Sequence, residues 1–270
     1  MSHPKTGRRF LFAALLAALA LTGAACSTPK GSAESWGYHG DVGPDDWAFL
    51  NPDYRVCCRG KRQSPIDIVQ PRRAALPPLT FDYAVLPRLT ARFNGHTINA
   101  EVTKGGALRI GGETFALAGF HFHRRSEHLL GGRDFPMEMH LVHAAGAERA
   151  VVGIFLIEGA GNPELAKIWK NLPDKGHPST TVEDFDLAAL LPDDRSSFRY
   201  PGSLTTPTCD ENVRWIVLAE PITLTAKQIS DFEKVFSGKE FPEGNRRPAQ
   251  ALRGRVVETD VTDPSLTDGN

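Results

Sequence analysis

This chain of 270 residues lacks an excess of charge of either sign: 31 Lys and Arg stand against 32 Asp and Glu. The balance gives no support for nucleic-acid binding, which draws on clustered basic charge. No internal repeat is visible, which excludes architectures stacked from one recurring unit. Cysteine is scarce, with four in all, so a core and not a disulfide scaffold must hold the fold. What is present is ordinary for a globular protein: 41% hydrophobic and 23% charged residues,. Twenty Pro and 25 Gly favour a turn-rich, strand-heavy chain. The length suits one large domain or two small ones.

The N-terminus reads as a targeting segment. Lys5, Arg8 and Arg9 precede an uncharged run over residues 10–25, rich in Ala and Leu, which gives the charged and apolar regions of a signal peptide. The run is short for a membrane span, which needs about 20 apolar residues. Arg8-Arg9 is a poor twin-arginine match, so the Sec route is expected. The run ends in Leu21-Thr22-Gly23-Ala24-Ala25-Cys26, followed by a polar tether to residue 35. This resembles a bacterial lipoprotein site, with Gly23 where Leu is usual. Two outcomes stay open: lipidation of Cys26 with a membrane tether, or a simple cut after Ala25. Either places the protein outside the cytoplasm, in the periplasm or on the outer membrane. One disulfide is expected there. Adjacent side chains diverge, so one of Cys57 and Cys58 joins Cys209 and the other is left free.

Strand-like runs recur over residues 90–93, 97–102, 107–110, 119–123, 138–143, 150–157 and 213–218. Helices are expected over 163–171, with Asn162 as cap, and over 226–236, where Thr225 and Gln228 fit a capping box. Gly238 is a stop signal. Residues 258–270 are polar, without periodicity, and expected to fray. The fold class is mainly β, an α+β single domain with peripheral short helices.

Three histidines carry the chemistry. In Gly119-Phe120-His121-Phe122-His123, alternation aims His121 and His123 to one face and both Phe to the other,. In Met137-Glu138-Met139-His140-Leu141-Val142-His143, Glu138, His140 and Val142 share a face. If the two strands are neighbours, three imidazoles converge. Three histidines with an open fourth position is the arrangement of a catalytic zinc. Glu138 is placed to orient His140 through its second ring nitrogen. A His-x-His pair alone is weak, being more often a surface or hydrogen-bonded feature. His143 and His128 are read as non-ligands, His143 towards the core or a polar pocket and His128 in the turn region. Gly131-Gly132 marks a turn in the connection over 124–135.

Further blocks occur in order: Trp36-Gly37-Tyr38, Gln63-Ser64-Pro65-Ile66-Asp67-Ile68, Asn94-Gly95-His96-Thr97-Ile98-Asn99, Ser126-Glu127-His128, Gly153-Ile154-Phe155-Leu156, Tyr200 to Pro207, and Asn245-Arg246-Arg247-Pro248-Ala249-Gln250. With the histidine runs, they resemble an α-class carbonic anhydrase of the bacterial exported type over residues 36–257. The resemblance implies a large, twisted, mostly antiparallel central sheet and Zn2+ held by His121, His123 and His140 at the base of a cone-shaped cleft. The implied reaction is reversible hydration of carbon dioxide to bicarbonate and a proton, by hydroxide generated at the zinc.

Thr205 matches the family's gatekeeper, accepting from hydroxide and donating to Glu127. His96 matches the proton shuttle. Tyr38, Asn94 and Asn99 match residues of the water network. Val142, Val151, Leu204, Val213 and Trp215, with Thr206 beside them, match the substrate pocket. Glu138 and Asn245 match supports of the ligand histidines. Family spacing makes Cys57 the partner of Cys209.

Some positions depart from the family. Gly119 stands where a Gln usually bonds the first ligand, so another group or water must orient His121. Arg124-Arg125 replaces a Thr-Pro-like pair, and Thr208 stands where Pro is common. Two other readings use the same residues. A cupin-type dioxygenase would take Glu127 as a fourth ligand to iron or manganese, but the chain lacks the Gly expected before His140. A non-catalytic binding domain of the same superfamily would lack a ligand histidine, and none is lacking. The sequence sets no oligomeric state; a dimer is compatible with it.

Overall fold

The structure is a computed structural model and describes residues 35–262. The signal segment, Cys26, tether residues 26–34 and residues 263–270 lie outside the described residues. A large mixed sheet dominates. Across it run, in order, Ser179–Asp186, Val85–Phe93, Ile98–Glu101, Glu113–Arg124, Met137–Ala145, Glu148–Glu158, Glu211–Leu218, Ser197–Ser203, Glu258–Thr259 and Arg72–Arg73. Neighbours are mostly antiparallel, as expected. The exceptions within this sheet include Glu148–Glu158 against Glu211–Leu218 and Glu258–Thr259 against Arg72–Arg73, which run parallel. Every strand anticipated from alternation is present.

The strand Glu113–Arg124 shows how the sequence positions the site. Its inward residues are first Phe115 and Leu117, then Phe120 and Phe122, all buried. The apolar phase moves from odd to even positions. A register shift between Leu117 and Gly119 accounts for the move: one extra residue turns the side chains beyond it to the opposite face. His121 and His123 are thereby aimed away from the main core. Behind them, Phe122 packs edge-on against Trp169 of the helix Pro163–Trp169, with ring centroids 5.3 Å apart, and against Phe232 of the helix Ala226–Val235 at 6.0 Å. Asn162 caps the first helix by accepting from Glu164 N and Leu165 N. Thr225 and Gln228 form the expected capping box on the second.

Two expectations need correction. The polar segment from Glu258 does not fray at its start: Glu258–Thr259 is a strand, and Val261 is buried. Its polar groups serve the sheet edge, where Thr259 Oγ1 donates to Ser197 O and Asp260 Oδ1 accepts from Ser197 N. The sheet therefore extends past residue 257. His128 lies in the connection between the two histidine strands, as expected, and is fully buried there. Cys57 and Cys209 form the disulfide across 152 residues, but no cysteine is free among the described residues, so Cys58 is not left as a free thiol. No helix among the described residues is long and apolar enough to cross a membrane.

Candidate metal centre

The strands Glu113–Arg124 and Met137–Ala145 pair antiparallel with His121 opposite His140. Residues opposite one another share a face, so the three imidazoles meet. His121, His123 and His140 each offer a nitrogen, and these atoms lie within 4.8 Å of one another. His123 and His140 are buried, whereas His121 is partly exposed and marks the open side.

Hydrogen bonds fix the two buried rings. His123 Nδ1 donates to Asn245 O at 2.7 Å, leaving Nε2 buried without a hydrogen-bond partner. His140 Nε2 donates to Glu138 Oε1 at 2.8 Å, leaving Nδ1 towards the other rings. Burial, together with the neighbouring imidazoles, pushes the His121 pKa well below the usual histidine value. Burial brings His123 down to about 4 and also lowers His140. All three are therefore neutral near pH 7, as metal coordination requires. An orphaned Nε2 among three lone pairs in a buried, all-nitrogen site fits a metal ion that favours imidazole.

Glu138 is the keystone beneath His140. Its Oε1 also accepts from His128 Nδ1 at 2.7 Å, and its Oε2 accepts from the backbone N–H of Glu127 and of His128, both at 2.8 Å. Burial opposes its ionisation, but His128 and His140 outweigh burial and hold the carboxyl well below the usual range. The network continues from His128 Nε2 to the Tyr200 hydroxyl and on to Ser64 Oγ. His128, Glu138 and His140 also cluster closely enough to resemble a metal site. Hydrogen bonds already engage the facing atoms, so they read as a support. Gly153, opposite His140 on the next strand, makes room: a Cβ there would lie 2.9 Å from Glu138 Oε1. The sequence reading missed His128, Tyr200 and Gly153 as supports. Their signal was proximity to the histidine motif in the fold, not in the chain.

Glu127 lies on the other side. Its Oε1 accepts from Arg247 N at 2.8 Å, and its Oε2 sits 3.5 Å from His123 Nε2 and 3.9 Å from His140 Nδ1. Burial raises its pKa to about 7, against the lowering effects of His140, the Arg247 bond and a hydrogen bond from Thr205. Arg247, also missed, is itself buried. Its guanidinium donates to Gln63 Oε1, Ser64 O and Cys57 O. It joins the disulfide region to the carboxylate.

The remaining candidates divide. Val151, Val213 and Trp215 form one buried apolar cluster, with Val142 and Leu204 packed against it. The Trp215 ring centroid is 4.8 Å from that of His140. Thr206 is half-buried beside Thr205, and its carbonyl accepts from Cys209 N. His96 stacks on Trp36 with centroids 3.7 Å apart, and its Nε2 bonds Trp36 O at 2.9 Å. Tyr38 is buried, and desolvation followed by the charge of Glu127 raises its pKa well above the usual value. Asn94 is exposed, and its Oδ1 is occupied by the N–H groups of His96 and Thr97. It shapes the turn that carries His96 and does not turn inward with Tyr38 and Asn99. Asn245 donates from Nδ2 to His96 O and Phe122 O. Arg124 pairs with Glu233, and Arg125 with Asp134 and Glu243, so the two unusual charges are compensated at the surface.

Comparisons with known proteins point to one family. Residues 42–261 match the family model described as eukaryotic-type carbonic anhydrase. A carbonic anhydrase of Pectobacterium carotovorum is 40% identical over 224 residues, spanning 82% of this chain and 89% of its own. Human carbonic anhydrase 7 is 35% identical over 260 residues, covering 83% and 96%. Among solved structures, the α-carbonic anhydrase of Thermovibrio ammonificans, in complex with the inhibitor sulfanilamide, superposes with a TM-score of 0.76 at 40% identity. It covers 84% of this chain and 100% of its own.

Proposed function

Because the chain belongs to the eukaryotic-type, or α, carbonic anhydrase family, we propose that it hydrates carbon dioxide reversibly to bicarbonate and a proton at a zinc ion held by His121, His123 and His140. The observation that carries this reading is the convergence of three neutral imidazoles, two of which, His123 and His140, have the outward nitrogen tied down. Zinc in such a site lowers the pKa of water to about 7 and so supplies hydroxide near neutral pH. Three neutral ligands leave the ion its full charge.

The chain's own residues do the rest. Glu127, fixed by Arg247 N, takes the Thr205 hydroxyl proton as a hydrogen bond. Thr205 Oγ1 is then an acceptor only, which orients the attacking oxygen. Val142, Val151, Leu204, Val213 and Trp215 give an apolar wall suited to a substrate without a net dipole. Thr206 stands at its edge. His96 receives the released proton through water and passes it to buffer, the work of an imidazole proton shuttle. Leaving the Trp36 carbonyl frees its Nε2 for that work. Tyr38 and Asn99 hold the water between His96 and the metal position. We read residues 1–25 as an export signal, with an oxidising compartment suiting the Cys57–Cys209 bond,. A membrane tether through Cys26 is the companion expectation, and mass measurement of the mature chain tests it.

Stopped-flow hydration of carbon dioxide by the purified protein, with and without a sulfonamide, tests the reading. Rapid, sulfonamide-sensitive turnover is expected. No turnover after zinc loading would refute it.

A further inference from the structure

The supports of His123 and His140 leave one ligand unexplained. Among the described residues, no protein group hydrogen-bonds either ring nitrogen of His121. The position two residues before it is Gly119, and the backbone forbids a replacement: a Cβ there would lie 2.5 Å from Ala100 O and 3.3 Å from Glu101 Cα. The strand Ile98–Glu101 comes too close to Gly119 for a side chain at that point to reach the ring.

The same strand presents another group. Asn99 pairs directly with His121 across the ladder. Directly opposed residues have Cβ atoms about 4.5–5.5 Å apart and side chains on one face. That is within reach of a carboxamide for an imidazole. Asn99 Oδ1 is buried and has no hydrogen-bond partner. A buried amide oxygen without a donor is costly, so such an atom marks an interaction the fold is built to complete.

We propose that Asn99 is the positioning residue for His121: its Oδ1 accepts the N–H of the His121 nitrogen that faces away from the metal. That bond fixes the tautomer, as Asn245 O does for His123 and Glu138 for His140. It moves the support of the first ligand from its own strand to the neighbouring one. The inference rests on the zinc reading above, and metal retention, not turnover, tests it. Asn99 then holds the ligand as well as facing the water path.

The test compares zinc release to dipicolinate, and the visible spectrum of the cobalt-substituted protein, for wild type, Asn99→Ala, Asn99→Asp and Asn94→Ala. Asn99→Ala is expected to hold zinc about 10–100-fold more weakly, with an altered cobalt spectrum and an unchanged circular dichroism spectrum. Asn99→Asp keeps the acceptor and should retain zinc as wild type does or better. Asn94→Ala, whose side chain only shapes the turn, should release zinc at the wild-type rate. Wild-type retention and spectrum in folded Asn99→Ala would overturn the proposal, leaving Asn99 to the water path alone. Failure of wild type to bind zinc would instead overturn the parent reading.

Discussion

Replacing Glu138 by Gln changes one atom and should unseat the metal. Glu138 meets four donors: His140 Nε2 and His128 Nδ1 at one oxygen, and two backbone N–H groups at the other. Glutamine has one oxygen to offer. The backbone amides cannot exchange their protons for lone pairs, so the glutamine oxygen belongs with them. Its NH2 group then faces two histidine nitrogens that are donors in the wild type. Each ring can relieve that clash by carrying its proton on the opposite nitrogen. For His140 the opposite nitrogen is Nδ1, the one facing His121 and His123. A proton there competes directly with zinc, and the negative charge beneath the ring is gone as well. Affinity should fall about 10–100-fold, or about 1.4–2.7 kcal/mol. The metal-free protein should suffer less, because Glu127 Oε2, 3.9 Å from His140 Nδ1, can receive the moved proton. Competition with a chelator measures the first quantity and urea unfolding of metal-free protein the second. Wild-type zinc affinity in folded Glu138→Gln would refute the tautomer argument.

Three further outcomes follow from packing and titration. His143 accepts from the Tyr83 hydroxyl at 2.7 Å, and burial lowers its pKa from 6.5 to about 4. The unfolded chain therefore takes up a proton that the folded one refuses. The His143 contribution is full above pH 6.5, fades as pH falls and is gone near 4, a loss of about 3 kcal/mol. Urea midpoints of metal-free wild type should fall across that window, with a smaller slope in His143→Gln. Opening the 152-residue Cys57–Cys209 loop by Cys209→Ser should cost about 2–5 kcal/mol,, read as a lower urea midpoint than that of the oxidised wild type. Phe122→Ala should cost about 3–5 kcal/mol by leaving a cavity between Trp169 and Phe232,, seen in thermal melts.

The converging histidines were legible because strand alternation is a local rule. His121 and His123 share a parity, and Glu138 and His140 share another. The motif order made the family legible too. The supports depend on contacts between distant segments. Arg247 reaches Glu127 across 120 residues, and Tyr200 reaches His128 across 72. No local pattern encodes those distances. Residues 258–262 were misjudged for a related reason: a two-residue edge strand is too short for alternation to mark, and its polarity resembles that of a loose tail. The register shift near Gly119 could have been read from the phase change between Leu117 and Phe120. The missing side chain at Gly119 was visible as a departure, but its cause, the approach of Ala100 O, lies on another strand.

Asn245 has a practical consequence for anyone redesigning the protein. One residue supplies the carbonyl that sets the His123 ring and the amide that pins the backbone of His96. On the proposed function, selection for faster proton export and selection for firmer metal retention would draw on the same anchor, and a change there would trade one against the other. The exposed corner at Asn94 and Gly95 offers a separate handle on the turn that carries His96.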